Sequence, residues 1–350
     1  MNARKPRHFF PRRSCHLAIA LSLVALCAVS PGRAMGITIT PTFDSSITND
    51  PNAAAIEGAI NAAIAVVETN ISNPINVTIY FQEAIGEPVG QSVTGQGQLS
   101  YYDYYNALKA IDTAPGASSA QQTAFASLGA APSGPSAVNP VNGYQFVQIA
   151  GPNMRALGVN VPPVIHASDG QVYDTVISLS MSHTYPPSAN DGSNVGLQSV
   201  AAHEINESLG IGGNGTALVL LDPGDGGPID PLDLYRYSAP GVRSFTTVQT
   251  TSPYAYFSID GGNTVLTYFS QTSQGDYGDW LSNPIPAGYG PQVQDAYGYP
   301  GTNPALGVNE LTALNVIGYN LVPEPSSFAL LAAGIAGLGF DAWRKKYRRA

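Results

Sequence analysis

Cysteine is nearly absent from this 350-residue sequence, because its two copies, Cys15 and Cys27, both lie in the first 34 residues. A disulfide framework or a thiolate metal site is therefore excluded from the rest of the chain. Basic side chains are also scarce, since residues 35–321 contain 4 Lys and Arg against 22 Asp and Glu. This balance argues against a nucleic-acid partner, whose phosphates need Lys and Arg. It favours solubility and the binding of divalent cations.

Residues 1–34 have the three parts of a secretory signal peptide. Basic residues precede an apolar run from Leu17 to Val29, and the small residues Gly32 and Ala34 follow it. The run is shorter than the roughly 20 apolar residues that span a bilayer. We therefore predict an export signal that signal peptidase cuts after Ala34.

Residues 322–350 form a second sorting signal. Pro323-Glu324-Pro325 precedes a predicted transmembrane helix over 327–343 and the basic tail 344–349. Because basic residues stay on the cytoplasmic side, the segment predicts a membrane anchor. The order of parts resembles the PEP-CTERM sorting signal, which an exosortase-type enzyme processes in Gram-negative bacteria that make exopolysaccharide. The resemblance implies export, membrane anchoring, and then the cell surface or extracellular matrix, with exopolysaccharide as an expected associate.

Residues 35–321 contain no linker or repeat, so we predict one domain. Hydrophobic spacing predicts helices over 53–71, 101–111, 119–128, 195–209 and 308–317, with Asn194 as the cap of the fourth. Strands are predicted over 75–83, 144–149, 173–179, 255–258 and 264–268. The glycine-rich stretch 86–97 is predicted to be a loop, and the part beyond residue 215 to be loop-rich. These elements indicate the α+β class.

The segment His203-Glu204-Ile205-Asn206-Glu207 is the strongest candidate for chemistry. On a helix, His203 and Glu207 project from one face about 6 Å apart, which suits two ligands of one Zn²⁺ ion. Glu204 occupies the position of the general base in the H-E-x-x-H motif, while Glu207 replaces the second His. A solvated helix face with a polar i,i+4 pair is the alternative interpretation.

Several segments together resemble a family of PEP-CTERM-associated zincin-like metalloproteases. They are His203–Gly210, Leu232–Arg243, Phe257–Gly262, Gly275–Trp280 and Leu311–Tyr319. The resemblance implies a zincin-like (metzincin-like) catalytic domain, with a twisted sheet against the metal-site helix. It also implies peptide or protein substrates. Ile211 departs from the family pattern, which commonly has a basic residue there.

A catalytic zinc site needs a third protein ligand. In metzincins that ligand follows the second helix ligand by six residues, but here the position is Gly213, which has no side chain. We predict Asp233 as the third ligand, with His183 and Asp230 as competitors. The structural alternative for Asp233 is a turn cap or a pairing with Arg236.

Two further features carry weaker hypotheses. Tyr235 and Tyr237 are candidate donors to an oxyanion, although tyrosines of an aromatic-rich core more often serve packing. Residues 222–230 space acids with glycines, as a Ca²⁺ loop does, but they lack the EF-hand pattern and its terminal Glu. An acidic turn is favoured there over a second metal site.

The leading hypothesis is an exported zinc endopeptidase in which Glu204 activates water. The alternative is a non-catalytic surface or matrix protein on a zincin-like scaffold. A carbohydrate-binding module, favoured by the 19 tyrosines, is a third hypothesis.

Overall fold

The computed structural model describes residues 36–84, 88–213, 227–244, 254–271 and 275–323. The predicted signal peptide, Glu324, Pro325 and the predicted transmembrane helix lie outside these residues, as does most of the acidic segment 222–230. Within the described ranges, no helix is both long enough and apolar enough to cross a membrane.

The described residues combine helices and strands, which places them in the α+β class. The helices are α1 (Ser45–Thr48), α2 (Ala53–Asn70), α3 (Tyr101–Asp112), α4 (Ser119–Ser127), α5 (Gly151–Ala156), α6 (Leu197–Ser208) and α7 (Val308–Val316). The strands are β1 (Thr38–Phe43), β2 (Asn76–Glu83), β3 (Gly90–Thr94), β4 (Gln96–Ser100), β5 (Phe146–Ala150), β6 (Ile165–His166), β7 (Val172–Tyr173), β8 (Thr175–Leu179), β9 (Thr184–Tyr185), β10 (Val195–Gly196), β11 (Arg236–Ala239), β12 (Val242–Arg243), β13 (Tyr256–Phe257) and β14 (Thr267–Tyr268). A 3-10 helix spans Pro231–Tyr235.

The main sheet has the strand order β1-β2-β8-β3. Strands β1, β2 and β8 run parallel, and β3 pairs antiparallel with β8 at the edge. The alternating residues Val77, Ile79 and Phe81 of β2 are buried in the core that also contains the apolar face of α2. Helix α6 contacts α2, β3 and β8, so the predicted metal-site helix lies next to the edge strand.

A second sheet, in the order β12-β11-β13-β14, holds the segment 275–281 in place. Trp280 of this segment stacks on Phe257 of β13 at 5.7 Å between ring centroids and contacts Phe269 at 5.3 Å. The backbone N–H of Ser270 donates to the carbonyl of Asp279, at 2.7 Å. The backbone N–H of Gly278 donates to the carbonyl of Gly213, just beyond α6, at 3.0 Å. The segment therefore connects this sheet to the end of the motif helix.

The helices predicted from hydrophobic spacing are present, with ends shifted by at most two residues. The predicted loop over 86–97 was wrong, because the structure has β3 and the start of β4 there. Glycine in these strands serves close packing. A Cβ at Gly90, in β3, would collide with Oε1 of Glu204, and one at Gly97, in β4, would lie 2.7 Å from Cε of Met154.

The predicted cap of α6 was also wrong. Gly196, not Asn194, is the N-cap residue, and it has no side chain to offer. The free N–H of Ser199 donates instead to Oδ1 of Asn303, at 2.9 Å. A tertiary contact therefore supplies the cap that the sequence lacks locally.

Candidate metal centre

Helix α6 brings two candidate ligands together, and a distant loop adds a third. Nε2 of His203 lies 3.3 Å from Oε1 of Glu207, as the i,i+4 spacing predicts. It also lies 3.5 Å from Oδ2 of Asp279. Ligand atoms of these three residues all lie within 4.8 Å of one another. Among the described residues, this group is close enough to share one ion.

The chemistry of this donor set fits a zinc ion. One imidazole nitrogen and two carboxylate oxygens are ligands that zinc accepts, and three protein ligands is the number that catalytic zinc sites use. The two carboxylates supply the negative charge that a divalent cation needs. We therefore regard His203, Glu207 and Asp279 as the residues that would hold the metal.

The two helix ligands are each held through the atom that faces away from the group. Nδ1 of His203 lies 2.9 Å from the carbonyl oxygen of Val293, so an Nδ1–H would donate there and leave Nε2 for a metal. The hydroxyl of Ser92, on β3, donates to Oε2 of Glu207 at 2.6 Å and leaves Oε1 for a metal. Both side chains are therefore oriented before any ion binds.

Asp279 is oriented in the same way. The backbone N–H of Gly213 donates to its Oδ1 at 2.8 Å, and Nε2 of Gln294 donates to the same oxygen at 2.9 Å. Oδ2 is the oxygen that faces His203. One carboxylate oxygen is thus fixed by two donors, while the other points to the centre of the group.

The glycines after α6 make this approach sterically feasible. Gly212 and Gly213 have φ values of +80° and +73°, a region that side chains rarely adopt. A Cβ at Gly212 would also collide with Nε2 of Gln294 and lie 2.6 Å from Oδ1 of Asp279. Only glycine at this position leaves room for the two side chains.

Glu204 lies beside the three ligands and is 4% exposed. Its Oε2 has no hydrogen-bond partner among the described residues. Burial, together with the charge of Glu207, raises the pKa of Glu204 well above its usual value. A carboxyl group with a raised pKa beside candidate ligands is a candidate for proton transfer.

The charges of the group depend on one another. Burial alone would lower the pKa of His203, but the charges of Asp279 and Glu207 raise it well above its usual value. Burial alone would raise the pKa of Glu207, but the hydrogen bond from His203 lowers it. Burial raises the pKa of Asp279 to about 7. The protein environment therefore favours a positive charge between the two carboxylates, as a bound cation would supply.

The group lies in a cleft of about 1320 Å³. The cleft is lined by β3, α6, the glycine turn after α6, and the segments around Asp276–Asp279 and Pro291–Tyr299. Asp276 and Asp295 also line it, and no Lys or Arg does so among the described residues. The cleft is therefore lined by acidic side chains without a Lys or Arg among the described residues.

The structure places Asp233 and Asp230 outside this group. Oδ2 of Asp233 accepts from the backbone N–H of Asp230 at 3.0 Å, and the two form a reciprocal capping box around the 3-10 helix. Burial, with the charge of Asp233, raises the pKa of Asp230 well above its usual value. This is the turn-cap arrangement that the sequence left as the alternative.

The other predicted site residues, His183, Tyr235 and Tyr237, are not part of the group of His203, Glu207 and Asp279. The ring nitrogen Nδ1 of His183 lies 2.9 Å from the hydroxyl of Ser180, in the loop after β8. Tyr235 is fully buried, and its hydroxyl donates to the carbonyl of Val316 at 3.3 Å. Tyr237 is buried beneath the guanidinium of Arg243, which lies 5.0 Å from its ring centroid. Neither tyrosine lines the cleft.

Asp279 is the candidate ligand that the sequence did not single out. It belongs to the segment Gly275–Trp280, which the family resemblance marked without a role. Gly212 and Gly213 were a further sequence signal, because glycine in the turn after α6 leaves room for Asp279 to approach the helix.

Comparison with known proteins identifies one end of the chain. Residues 321–346 match the PEP-CTERM protein-sorting motif. The structure describes the first three of these residues, and Pro323 among them is exposed. The motif implies export, membrane anchoring and then surface localisation in Gram-negative bacteria, with an exosortase as the processing partner. No curated protein and no solved structure matches the chain. The comparisons therefore identify the sorting signal and leave the class of the preceding domain to the residues themselves.

Proposed function

We propose that this protein is an exported, zinc-dependent endopeptidase with a zincin-like catalytic domain. One observation carries the proposal: ligand atoms of His203, Glu207 and Asp279 lie within 4.8 Å of one another in an open cleft. Glu204 lines the same cleft with a raised pKa. Metal ligands and an adjacent proton acceptor are what metal-assisted hydrolysis requires.

Each residue has a defined task in this proposal. When bound, zinc would supply Lewis-acid chemistry, polarising the scissile carbonyl and making a water molecule a better nucleophile. Glu204 would take the proton from the attacking water and pass it to the leaving amine. Val293 and Ser92 would keep His203 and Glu207 in the orientation that the structure shows.

The position of β3 supports a peptide as the substrate. This strand lies along the cleft and pairs with β8 on one side, while no described strand pairs with its other side. An edge strand presents backbone N–H and C=O groups to which an extended peptide can add as a further strand. The cleft would then hold the peptide across the ligand group.

Zinc analysis of the purified protein tests the metal site. We expect close to one zinc per chain, and a loss of affinity for both His203→Ala and Asp279→Ala. The loss should exceed the roughly 10- to 100-fold cost of removing an outer partner, since each variant removes a ligand.

The matched control for Asp279 is Asp233→Ala. This change should keep the zinc and lower the free energy of unfolding by more than the roughly 1 kcal/mol of a lost cap, because the buried Arg236 also loses the charge of Asp233. Zinc that survives Asp279→Ala but not Asp233→Ala would overturn the assignment of the third ligand.

Glu204→Gln tests the reaction. This variant should keep its zinc and cleave casein more slowly by about 10²- to 10⁴-fold, because the general base is lost. Glu57→Gln, on α2 and outside the cleft lining, should cleave at the wild-type rate.

One feature favours a second candidate, a non-catalytic surface or matrix protein on the same scaffold. Two carboxylates, Glu207 and Asp279, stand at the group, and negative ligands lower the Lewis acidity of a bound metal. Stoichiometric zinc without cleavage of any peptide library would support this candidate and overturn the peptidase.

A further inference from the structure

Gln294 has a buried side chain that contacts two of the three candidate metal ligands. It is fully buried, and its Nε2 lies 2.9 Å from Oδ1 of Asp279 and 3.3 Å from Nε2 of His203. The amide nitrogen must face Asp279, because a carboxylate oxygen can only accept a hydrogen bond. Oε1 of Gln294 has no partner among the described residues. The bond to Oδ1 of Asp279 leaves Oδ2 for a metal, whereas the contact with His203 involves the nitrogen that a metal would take and would be given up when an ion binds.

The main chain around Gln294 serves the same two ligands. The preceding residue, Val293, accepts from Nδ1 of His203 at 2.9 Å. The carbonyl of Gln294 accepts from the backbone N–H of Trp280, the residue next to Asp279, at 2.8 Å. The two-residue segment 293–294 therefore forms one hydrogen bond with His203, one with Asp279 and one with the neighbour of Asp279.

A buried carboxylate anchors this segment to the last helix. Oε1 of Glu310, on α7, accepts from the backbone N–H of Gln294 at 3.2 Å and from the indole N–H of Trp280 at 3.1 Å. Its Oε2 accepts from the backbone N–H of Gly307 at 3.0 Å. Glu310 is 1% exposed, so these bonds form away from water.

We propose that Gln294, anchored by Glu310, is a positioning residue that sets the metal affinity of the site: its side chain fixes Asp279, and its place in the chain fixes the Val293 carbonyl that holds His203. The inference rests on the proposed function, because it takes His203, Glu207 and Asp279 as the metal ligands. It adds that this affinity depends on residues 293, 294 and 310, which supply no ligand atom. Hydrogen bonds to metal ligands restrict their rotation, so the ligands lose less freedom when the ion binds.

Gln294→Met tests the proposal, since Met has a similar length and makes no comparable hydrogen bond. We expect its zinc affinity, measured by competition with a chelator, to fall about 10- to 100-fold. Glu310→Gln should weaken the affinity in the same direction and by less, because the amide oxygen is a weaker acceptor than the carboxylate for Gln294 and Trp280, and the amide nitrogen cannot accept from Gly307.

Gln292→Met is the matched control. Gln292 lies in the same segment, but its amide group bonds to Thr267 at 3.1 Å and to Asn309 at 2.6 Å, away from the ligands. This variant should bind zinc within about 2-fold of wild type, a margin well below the 10-fold minimum for an outer partner. Equal zinc affinity in Gln294→Met and Gln292→Met, with both folded by circular dichroism, would overturn the proposal.

A second measurement needs no metal. In chelator-treated protein, the side-chain ¹⁵N resonances of His203 should shift in Glu310→Gln, which does not touch His203, and should stay unchanged in Gln292→Met. Unchanged resonances in Glu310→Gln would overturn the positioning role. Wild type that binds no zinc would instead overturn the proposed function, and the resonances would still decide whether Glu310 positions His203.

Discussion

At the scale of single residues, burial raises the pKa of an acidic side chain that lines the cleft. Asp295 lies in the cleft lining, and its Oδ2 accepts from the backbone N–H of Gln292 at 2.8 Å. Burial raises the pKa of Asp295 from 3.8 to about 7, although that hydrogen bond lowers it. No Lys or Arg lines the cleft among the described residues. The charge of His203 lowers the pKa of Asp295 as the hydrogen bond does, but both effects are smaller than the effect of burial.

This shift predicts a pH-dependent stability. Below about pH 4 Asp295 is protonated in both the folded and the unfolded chain, so it costs nothing. Between about pH 4 and 7 the unfolded chain ionises first, so the contribution of Asp295 to the free energy of unfolding falls as the pH rises. Asp295→Asn should therefore become more stable than wild type, by up to about 4 kcal/mol above pH 7.

Urea unfolding of chelator-treated protein at several pH values measures this gap. The exposed Asp191 is a control of opposite sign, because its hydrogen bonds with Ser193 lower its pKa. Asp191→Asn should lose stability at neutral pH, and this difference should vanish in acid. A gap between Asp295→Asn and wild type that stays constant from pH 4 to pH 8 contradicts the role of Asp295.

At the scale of elements, the turn after α6 determines whether the helix can meet its distant ligand. Gly212→Ala should lower the zinc affinity and the free energy of unfolding together, because the new Cβ collides with Gln294 and crowds Asp279. The positive φ adds a strain of about 1–2 kcal/mol. Chelator competition and urea unfolding measure the two effects.

Gly158, in the turn after α5, is the matched control. It has a φ of +85°, and a Cβ there would meet nothing within 4 Å. Gly158→Ala should show the strain alone and keep the zinc affinity of wild type. If both alanine variants bind zinc equally well, the close approach at Gly212 has no part in the site.

Elements with a local cause were predictable from the sequence. Apolar spacing predicted α2 and α6, and the i,i+4 rule placed His203 and Glu207 together. Strand β3 was missed, because Gly90 weakens the strand signal while it makes room for Glu204. The N-cap of α6 was missed because its acceptor, Asn303, comes from another part of the chain.

At the scale of the whole molecule, the sorting signal lies beyond the domain that contains the candidate metal site. Leu321 pairs with Ile71, and the backbone N–H of Val322 donates to the carbonyl of Asn70, so the described domain closes just before Glu324. Removal of residues 324–350 should therefore leave zinc binding unchanged and release the exported protein into the medium. Fractionation of an exosortase-bearing Gram-negative host measures the release.

Glu324→Ala is the companion variant, since it keeps the apolar part of the sorting motif and alters only Pro323-Glu324-Pro325. It should accumulate in the membrane fraction without being processed. Surface retention of the truncated protein would contradict the role of the segment.

The sequence by itself determined the features that neighbouring residues create: the C-terminal sorting signal, the acidic balance of residues 35–321, and the pair of candidate ligands one helical turn apart. Only the tertiary structure brought Asp279 to His203 and engaged Asp233 in a cap. The physical reason is that both aspartates are equally polar and equally able to bind a metal. Their difference arises from packing, since Trp280 and the glycine turn direct one carboxylate to the group, and the 3-10 helix occupies the other.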